Sequence, residues 1–342
     1  MNFIYTDEQT IAEKLFGGFR HINAFGRIVV GDAEKLLKLI ETTSVPAGTT
    51  IYIDSTGGNV EEGIKLGCVI RAYHLETSIG TYMLEPKAPD DAIVPRTLRS
   101  GECLSAATLM FVGGRLRHYP PCAKFGVHRF AYRDPAPSDA ERSQELSAGI
   151  ARYLDQMGIP LTFLDLSAST ASNELRLLGE DELREHRVIT GGVTEAVWGV
   201  ELRDSMIYVR GTRDSIWGRH KVILAYARDS AFVFFAVIEA QGRHNELCHF
   251  PLVELVVNGE DLRIDISDRC SRKSNGPDVI VMSNLSLEEA KILAYSESFG
   301  VQIRLTSEAS VFLGVSAMST EGGQDSLRSL YELMTVASHT GS

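Results

Sequence analysis

GECLSAATLMFVGGRLRHYPPCAKFGVHRF, residues 101–130, sets a serine at the head of a run of small and apolar residues, then a glycine pair, a basic stretch and a histidine in an apolar context. LSAATLMFVGG reads as a buried helix and CAKFGVHRF as the strand after it. Ser105 would open that helix. A serine there either caps the helix with its hydroxyl or offers the hydroxyl beside a backbone N–H that has no intrahelical acceptor. His128 likewise reads two ways, as a hydrogen-bonded core histidine or as a general base. A nucleophile and its base are brought together in space rather than along the chain, so spacing leaves both pairs of readings open.

Upstream of this stretch, GRIVVGD reads as a strand, AEKLLKLIETT as a helix, TTIYIDS as a strand, VEEGIKLGCVIRAYH as a helix and TSIGTYM as the next strand. That order predicts an α/β unit with a substantially parallel sheet. EPKAPDDAIVPRTLRSG, rich in proline and charge, reads as a surface insertion ahead of Ser105. DSTGGNVEEG joins a strand to a helix. Its glycine pair is either a plain tight turn or a way to bring a backbone N–H close to a bound carbonyl, as an oxyanion hole requires. The GxGxxG spacing of a dinucleotide fingerprint is absent. Downstream, SDAERSQELSAGIARYLDQMG reads as a long amphipathic helix stopped by Gly158 and Pro160, followed by short helices at LTFLDLSAS and GEDELREHRV.

From Trp198 onward the pattern turns to β. WGVELRDSMIYVRG, KVILAYARDSAFVFFAVIEAQG and FPLVELVVNGEDLRIDIS carry the β-branched and aromatic richness of strands, with Gly, Asn and Asp at the turns. A sandwich or half-barrel is expected. A capping box from Ser286 to Glu289 opens a helix at SLEEAKILAYSES, and SLRSLYELMTVA reads as a terminal helix. The predicted organisation is an α/β domain over 1–197 and a mainly β accessory domain over 198–342.

The bulk properties restrict the chemistry. A chain of 342 residues with 44% hydrophobic content can build two cores. No apolar run reaches the ~20 residues that a bilayer requires, and MNFIYTDEQTIAEK lacks the basic and apolar regions of a signal peptide. A cytoplasmic protein with no membrane partner is expected. The five cysteines form no CxxC pair and no zinc-like cluster, so no metal is expected. A net charge of −11 disfavours nucleic acid, since the densest basic run, GGRLRHYP, is short.

Taken together, DSTGGNVEEG, the serine helix LSAATLMFVGG and GVHRF resemble the Clp-type serine peptidases of the ClpP/crotonase-like superfamily. In that family an SPGG-type turn supplies the oxyanion hole, a serine opens a helix running to a glycine nine residues on, and an IH pair supplies the base. Here Gly114 stands nine residues after Ser105, and His128 follows Ser105 by 23. The resemblance spans about residues 24–192. It is closer still to a less characterised Clp-like group, often exported, that carries a CxSAC serine motif, a GG-x-R segment and a GVH strand. CLSAA departs from CxSAC in having Ala107 where the second cysteine would stand, so no disulfide can close there. The β part has no counterpart in the simple peptidase.

The resemblance implies that Ser105 attacks a carbonyl, His128 takes its proton, and the N–H groups of Gly58 and Ala106 hold the oxyanion. For the third member it points to Glu174 first, then Asn173, then Asp165; the family's aspartate has no match at the corresponding place. No cofactor is implied. The expected partners are a peptide or protein substrate, further copies of the chain, and a separate ATPase or partner protein, since the chain has no GxxxxGK[ST] loop. The proline-rich insertion and the β part are expected to favour a small oligomer over a closed ring. Two other readings compete: an inactive crotonase-like scaffold for oligomerisation and partner binding, and an acyl-CoA enzyme using the Gly58 hole. The latter lacks an obvious basic cluster for nucleotide phosphates.

Overall fold

The chain begins with β1 (Asn2–Thr6), α1 (Ile11–Phe16), β2 (His21–Phe25), α2 (Asp32–Thr43), β3 (Thr50–Asp54), α3 (Val60–Ala72) and β4 (Glu76–Ile79). There follow β5 (Thr81–Leu84), β6 (Arg96–Arg99), β7 (Glu102–Leu104), α4 (Ala106–Val112), β8 (Lys124–Val127), α5 (Asp139–Gln156), α6 (Thr162–Ser169), β9 (Arg176–Leu178) and α7 (Glu180–Glu185). This is a computed structural model, which describes all residues except 17, 18, 90, 130–138, 172, 173, 204, 205, 228–230, 310, 341 and 342. The chain divides into two compact units, Met1–Gly192 and Val193–Ser342.

In the first unit, β2, β3 and β4 run parallel, with β1 antiparallel at the edge. β7 pairs parallel with β8, and β9 antiparallel with β8. A single bridge from Ser55 to Cys103 ties the two sheets together, and Thr77 of β4 bridges to Arg117 in the segment between α4 and β8. All seven residues of α4 are buried. The helix fits because α3 presents glycines one turn apart: a β-carbon on Gly63 would stand 2.6 Å from the Ala106 carbonyl oxygen, and one on Gly67 2.8 Å from that of Leu109. The run of small residues in the sequence is therefore what lets two helices meet backbone to backbone. The Arg71 guanidinium then closes the far end of α4, donating to the carbonyls of Val112, Gly113 and Gly114.

Several sequence expectations change here. GRIVVGD is not a strand: β2 lies just before it, Val30 is 75% exposed, and Ile28 makes only a bridge to Gly58. The chain leaves the sheet because the Val29 N–H goes to the Asp32 carboxylate at the head of α2 rather than to a neighbouring strand. TSIGTYM splits at Gly80 into β4 and β5, which belong to different sheets. The proline-rich insertion is not wholly surface, since it supplies β6 and the Arg96 guanidinium that pairs with the buried Glu13 carboxylate at 2.8 Å. β1, α1, β7 and β9 had no sequence counterpart, being short or of mixed polarity.

The second unit contains β10 (Val197–Arg203), β11 (Met206–Ser215), β12 (Gly218–Ala227), β13 (Ala231–Glu239), α8 (His244–His249), β14 (Leu252–Val257), β15 (Leu262–Asp265) and β16 (Cys270–Asn275). It ends with β17 (Asp278–Leu285), α9 (Leu287–Tyr295), β18 (Ser298–Arg304), β19 (Leu313–Ser319) and α10 (Gln324–Thr340). A six-stranded sheet ordered β10-β11-β12-β13-β17-β16 and a four-stranded sheet ordered β15-β14-β18-β19, both antiparallel, contribute to one core with α9 and α10. Ser286 caps α9 through the expected box with Glu289. The unit begins at Val193, ahead of the boundary drawn at 197/198, because Val193 bridges to Ser215 and the Thr194 N–H donates to Asp214.

Candidate active site

The end of β3 is paired to β7. The Ser55 N–H donates to the Glu102 carbonyl at 2.6 Å, and the Leu104 N–H donates to the Ser55 carbonyl at 3.0 Å. This lays the DSTGG turn alongside the residues leading into Ser105. The Ser55 hydroxyl fixes the turn by donating to the Gly26 carbonyl at 2.7 Å and accepting from the Gly57 N–H at 3.1 Å. Gly57 and Gly58 have φ of 93° and 149°, a region that favours glycine. A β-carbon on Gly57 would stand 2.8 Å from Ser105 Cβ and 3.0 Å from the Ala106 nitrogen, while one on Gly58 would collide with the Ile28 carbonyl at 2.1 Å. The bridge to Ile28 uses the Gly57 carbonyl and the Asn59 N–H, which leaves the Gly58 N–H outside that ladder.

Ser105 is half-buried, with φ 55° and ψ −127°. A non-glycine residue held there costs on the order of 1–3 kcal/mol, and such strain collects at functional sites. Three hydrogen bonds hold it. Its N–H donates to the Gly126 carbonyl at 2.9 Å, and its carbonyl accepts from the Thr108 N–H at 2.9 Å and the Thr108 hydroxyl at 2.7 Å. Although Ser105 stands at the head of α4, its side chain makes no cap hydrogen bond. The plain capping role is thereby removed. The next N–H, that of Ala106, is in the first helical turn and has no intrahelical acceptor.

His128 follows directly on β8, one residue past the strand rather than inside it. Leu104 is in register with Gly126 across the parallel pair, so Ser105 and His128 leave adjacent strands at the same end. His128 is half-buried, and its Nδ1 lies 2.8 Å from the Arg129 carbonyl oxygen. A carbonyl can only accept, so Nδ1 carries the proton of that bond and Nε2 is the basic nitrogen of the neutral ring. Arg129 is itself anchored, its N–H donating to Thr170 at 3.0 Å and its Nε to Ala168 at 3.1 Å.

β9 lies antiparallel beside β8, with Val127 opposite Arg176, so Glu174 stands two residues before the strand that flanks the exit to His128. Glu174 and Asp165 are exposed, and among the described residues neither side chain makes a hydrogen bond or ion pair. Asn173 lies outside the described residues. Sequence reasoning missed Ser55, Thr108 and the Arg129 carbonyl. A serine two residues before GG and a threonine three after Ser105 are the signals that could have found the first two.

The basic stretch does not form a surface. Arg115 and Arg117 are 2% and 4% exposed, and the Arg117 guanidinium donates to the carbonyls of Gly114, Arg187 and Val188. All five cysteines are free thiols, and burial pushes that of Cys103 well up. No group of side chains among the described residues has a metal-binding arrangement. No described helix is long and apolar enough to cross a membrane. A cavity of about 470 Å³ lined by Thr50, Tyr52, Ser78, His118, Tyr119 and Glu180, among others, lies at the opposite end of β3 from the glycine turn. It does not include Ser105 or His128.

No family model matches the chain, and no curated protein matches it. Among the solved structures it is similar to a mutant of ClpP1 from Listeria monocytogenes, at 17% identity over 49% of this chain and 88% of that one, with a TM-score of 0.36. A likeness of that degree carries no argument about chemistry. The functional reading rests on the geometry around Ser105.

Proposed function

We propose that the chain is a serine hydrolase of Clp-type, crotonase-like architecture, acting as a peptidase on peptides or flexible segments. The observation that carries this is Ser105 itself: a strained, half-buried serine, uncapped, against a glycine turn. In this reading the Ser105 hydroxyl attacks a substrate carbonyl carbon while His128 Nε2 takes its proton. The resulting oxyanion is held by the N–H groups of Gly58 and Ala106. Collapse expels the amine, which leaves with the proton from His128, and water activated by the same nitrogen then hydrolyses the acyl-enzyme. The Arg129 carbonyl, bonded to Nδ1, holds the imidazole tautomer, and Glu174, before the strand flanking β8, is the carboxylate proposed to share that task.

The burial of Arg115 and Arg117 works against an acyl-CoA enzyme, since it removes the densest basic run from the surface. An inactive scaffold is favoured by one observation, that among the described residues neither the Glu174 nor the Asp165 side chain makes an ion pair or hydrogen bond. Under the peptidase reading, a homo-oligomer supplied by a separate ATPase or partner protein remains the expected setting, with residues 198–342 as the accessory part.

A fluorophosphonate probe separates the readings. It should label the wild type at neutral pH and leave Ser105→Ala and His128→Ala unlabelled, both variants being folded by circular dichroism. A folded wild type that takes up no probe would favour the scaffold.

A further inference from the structure

One face of the parallel sheet in the first unit is built from polar residues. Strand side chains alternate between faces, and the register sets His21 beside Thr50 and Glu76, and Asn23 beside Tyr52 and Ser78, across β2, β3 and β4. The residues between them, Ile22, Ala24, Ile51, Ile53 and Ile79, are fully buried in the core. The insertion hairpin of β5 and β6 covers part of the polar face. Tyr82 exchanges two backbone hydrogen bonds with the Asn23 amide, at 2.8 and 2.9 Å, its carbonyl lies 3.0 Å from His21 Nε2, and its ring stacks on Tyr52 at 4.8 Å. The hairpin thus takes up the Asn23 amide and one nitrogen of His21 on β2.

The groups on β3 and β4 are left to the cavity. Thr50, Tyr52 and Ser78 line it, Ser78 being only 4% exposed, and among the described residues none of their three hydroxyls makes a hydrogen bond. Hydroxyls so far from bulk water are ordinarily paired, because leaving them unpaired costs free energy. At about 470 Å³ the cavity is within the range of small-molecule sites. The charges around it are matched: Glu76 lies 3.2 Å from His118 and 3.9 Å from Arg115, and Glu180 is paired with Arg184 at 2.7 Å. Leu98, Pro120 and Ile189 supply apolar lining, together with Tyr119, whose hydroxyl is spent on the Ala123 carbonyl.

We infer that this cavity binds a neutral sugar, a mono- or disaccharide, with its hydroxyls on Thr50, Tyr52 and Ser78 and a C–H face on the apolar lining. A hydroxyl both donates and accepts, so a group of three complements the hydroxyls around a sugar ring. Thr50 and Tyr52 are two residues apart on one strand and Ser78 is in register with Tyr52 on the next. That spaces them by about 7 and 5 Å, which a single pyranose with its substituents spans. A charged ligand would find no unmatched counter-charge, and an apolar chain would leave the hydroxyls without partners.

Ligand-observed NMR titration of the full chain tests this, with D-glucose, D-galactose, D-mannose, N-acetyl-D-glucosamine and maltose as probes and adenosine and trileucine for comparison. At least one sugar should show saturation transfer and a measurable Kd. Ser78→Ala and Tyr52→Phe remove hydroxyls that hold nothing in the protein, so both variants should fold as the wild type does and bind that sugar about five- to tenfold more weakly. No binding by any of these sugars, equal binding by the wild type and both variants, or a preference for adenosine or trileucine over every sugar would each overturn the inference. The measurement does not depend on hydrolase activity.

Discussion

A β-carbon placed on Gly57 would stand 2.8 Å from the β-carbon of Ser105. Two residues separated by all of α3, β4, β5, β6 and β7 in the chain are thus in direct contact, and the contact admits only glycine on one side. Gly57→Ala should therefore move Ser105 as well as strain its own backbone. We expect loss of probe labelling together with a lowered Tm. Gly149→Ala, in open space on α5, should instead raise stability by about 0.5–1 kcal/mol through helix propensity.

Ser105→Gly tests whether the strain belongs to function. Glycine adopts φ 55° without penalty, so the variant should be inert to the probe yet more stable in urea than Ser105→Ala, by about 1 kcal/mol or more. If the two unfold alike, Ser105 carries no stored strain.

If the Arg129 carbonyl orients His128, the exposed carboxylates are dispensable. Glu174→Ala and Asp165→Ala should then label at close to the wild-type rate. A large fall for Glu174→Ala alone would restore it as the third member of the triad.

Arg117→Met should lower stability by about 3 kcal/mol, measured by urea unfolding, because the buried carbonyls of Gly114 and Val188, and that of Arg187, lose a charged donor. Arg184→Met, on the exposed face of α7 in an i,i+4 pair with Glu180, should change it by less than about 0.5 kcal/mol.

Acid should weaken both units. The Arg96 guanidinium holds the Glu13 carboxyl down at about 2, from an ordinary 4.5, and Arg269 does the same for Glu289. A carboxylate whose folded pKa is depressed contributes fully above its unfolded value, and that contribution fades as pH falls from about 4.5 toward 2. Unfolding midpoints should decline through that window, and Glu13→Gln should be less stable at neutral pH with a flatter acid dependence. An unchanged acid profile in that variant would show that Glu13 does not drive the decline.

What was legible along the chain was legible for local reasons. α2, α3 and α5 announce themselves by apolar spacing, and α9 by its Ser286–Glu289 box, because helical hydrogen bonds and caps close between near neighbours. The strands that failed were those whose identity depends on a distant partner. GRIVVGD has the composition of a strand, yet the neighbour it would need is already paired with β2. β7, at three residues, exists only because β3 and β8 flank it.

By itself the sequence determined the α/β beginning, the later turn to β, and the presence of a serine, a histidine and a glycine pair in a suggestive order, since all of these follow from composition and short-range spacing. Only the tertiary structure decided that Ser105 forgoes its cap and is held in a strained conformation, that the glycine turn touches it, and that Arg115 and Arg117 are buried. Those facts depend on which backbone groups from separate strands satisfy one another once water is excluded, and no local pattern encodes that exchange.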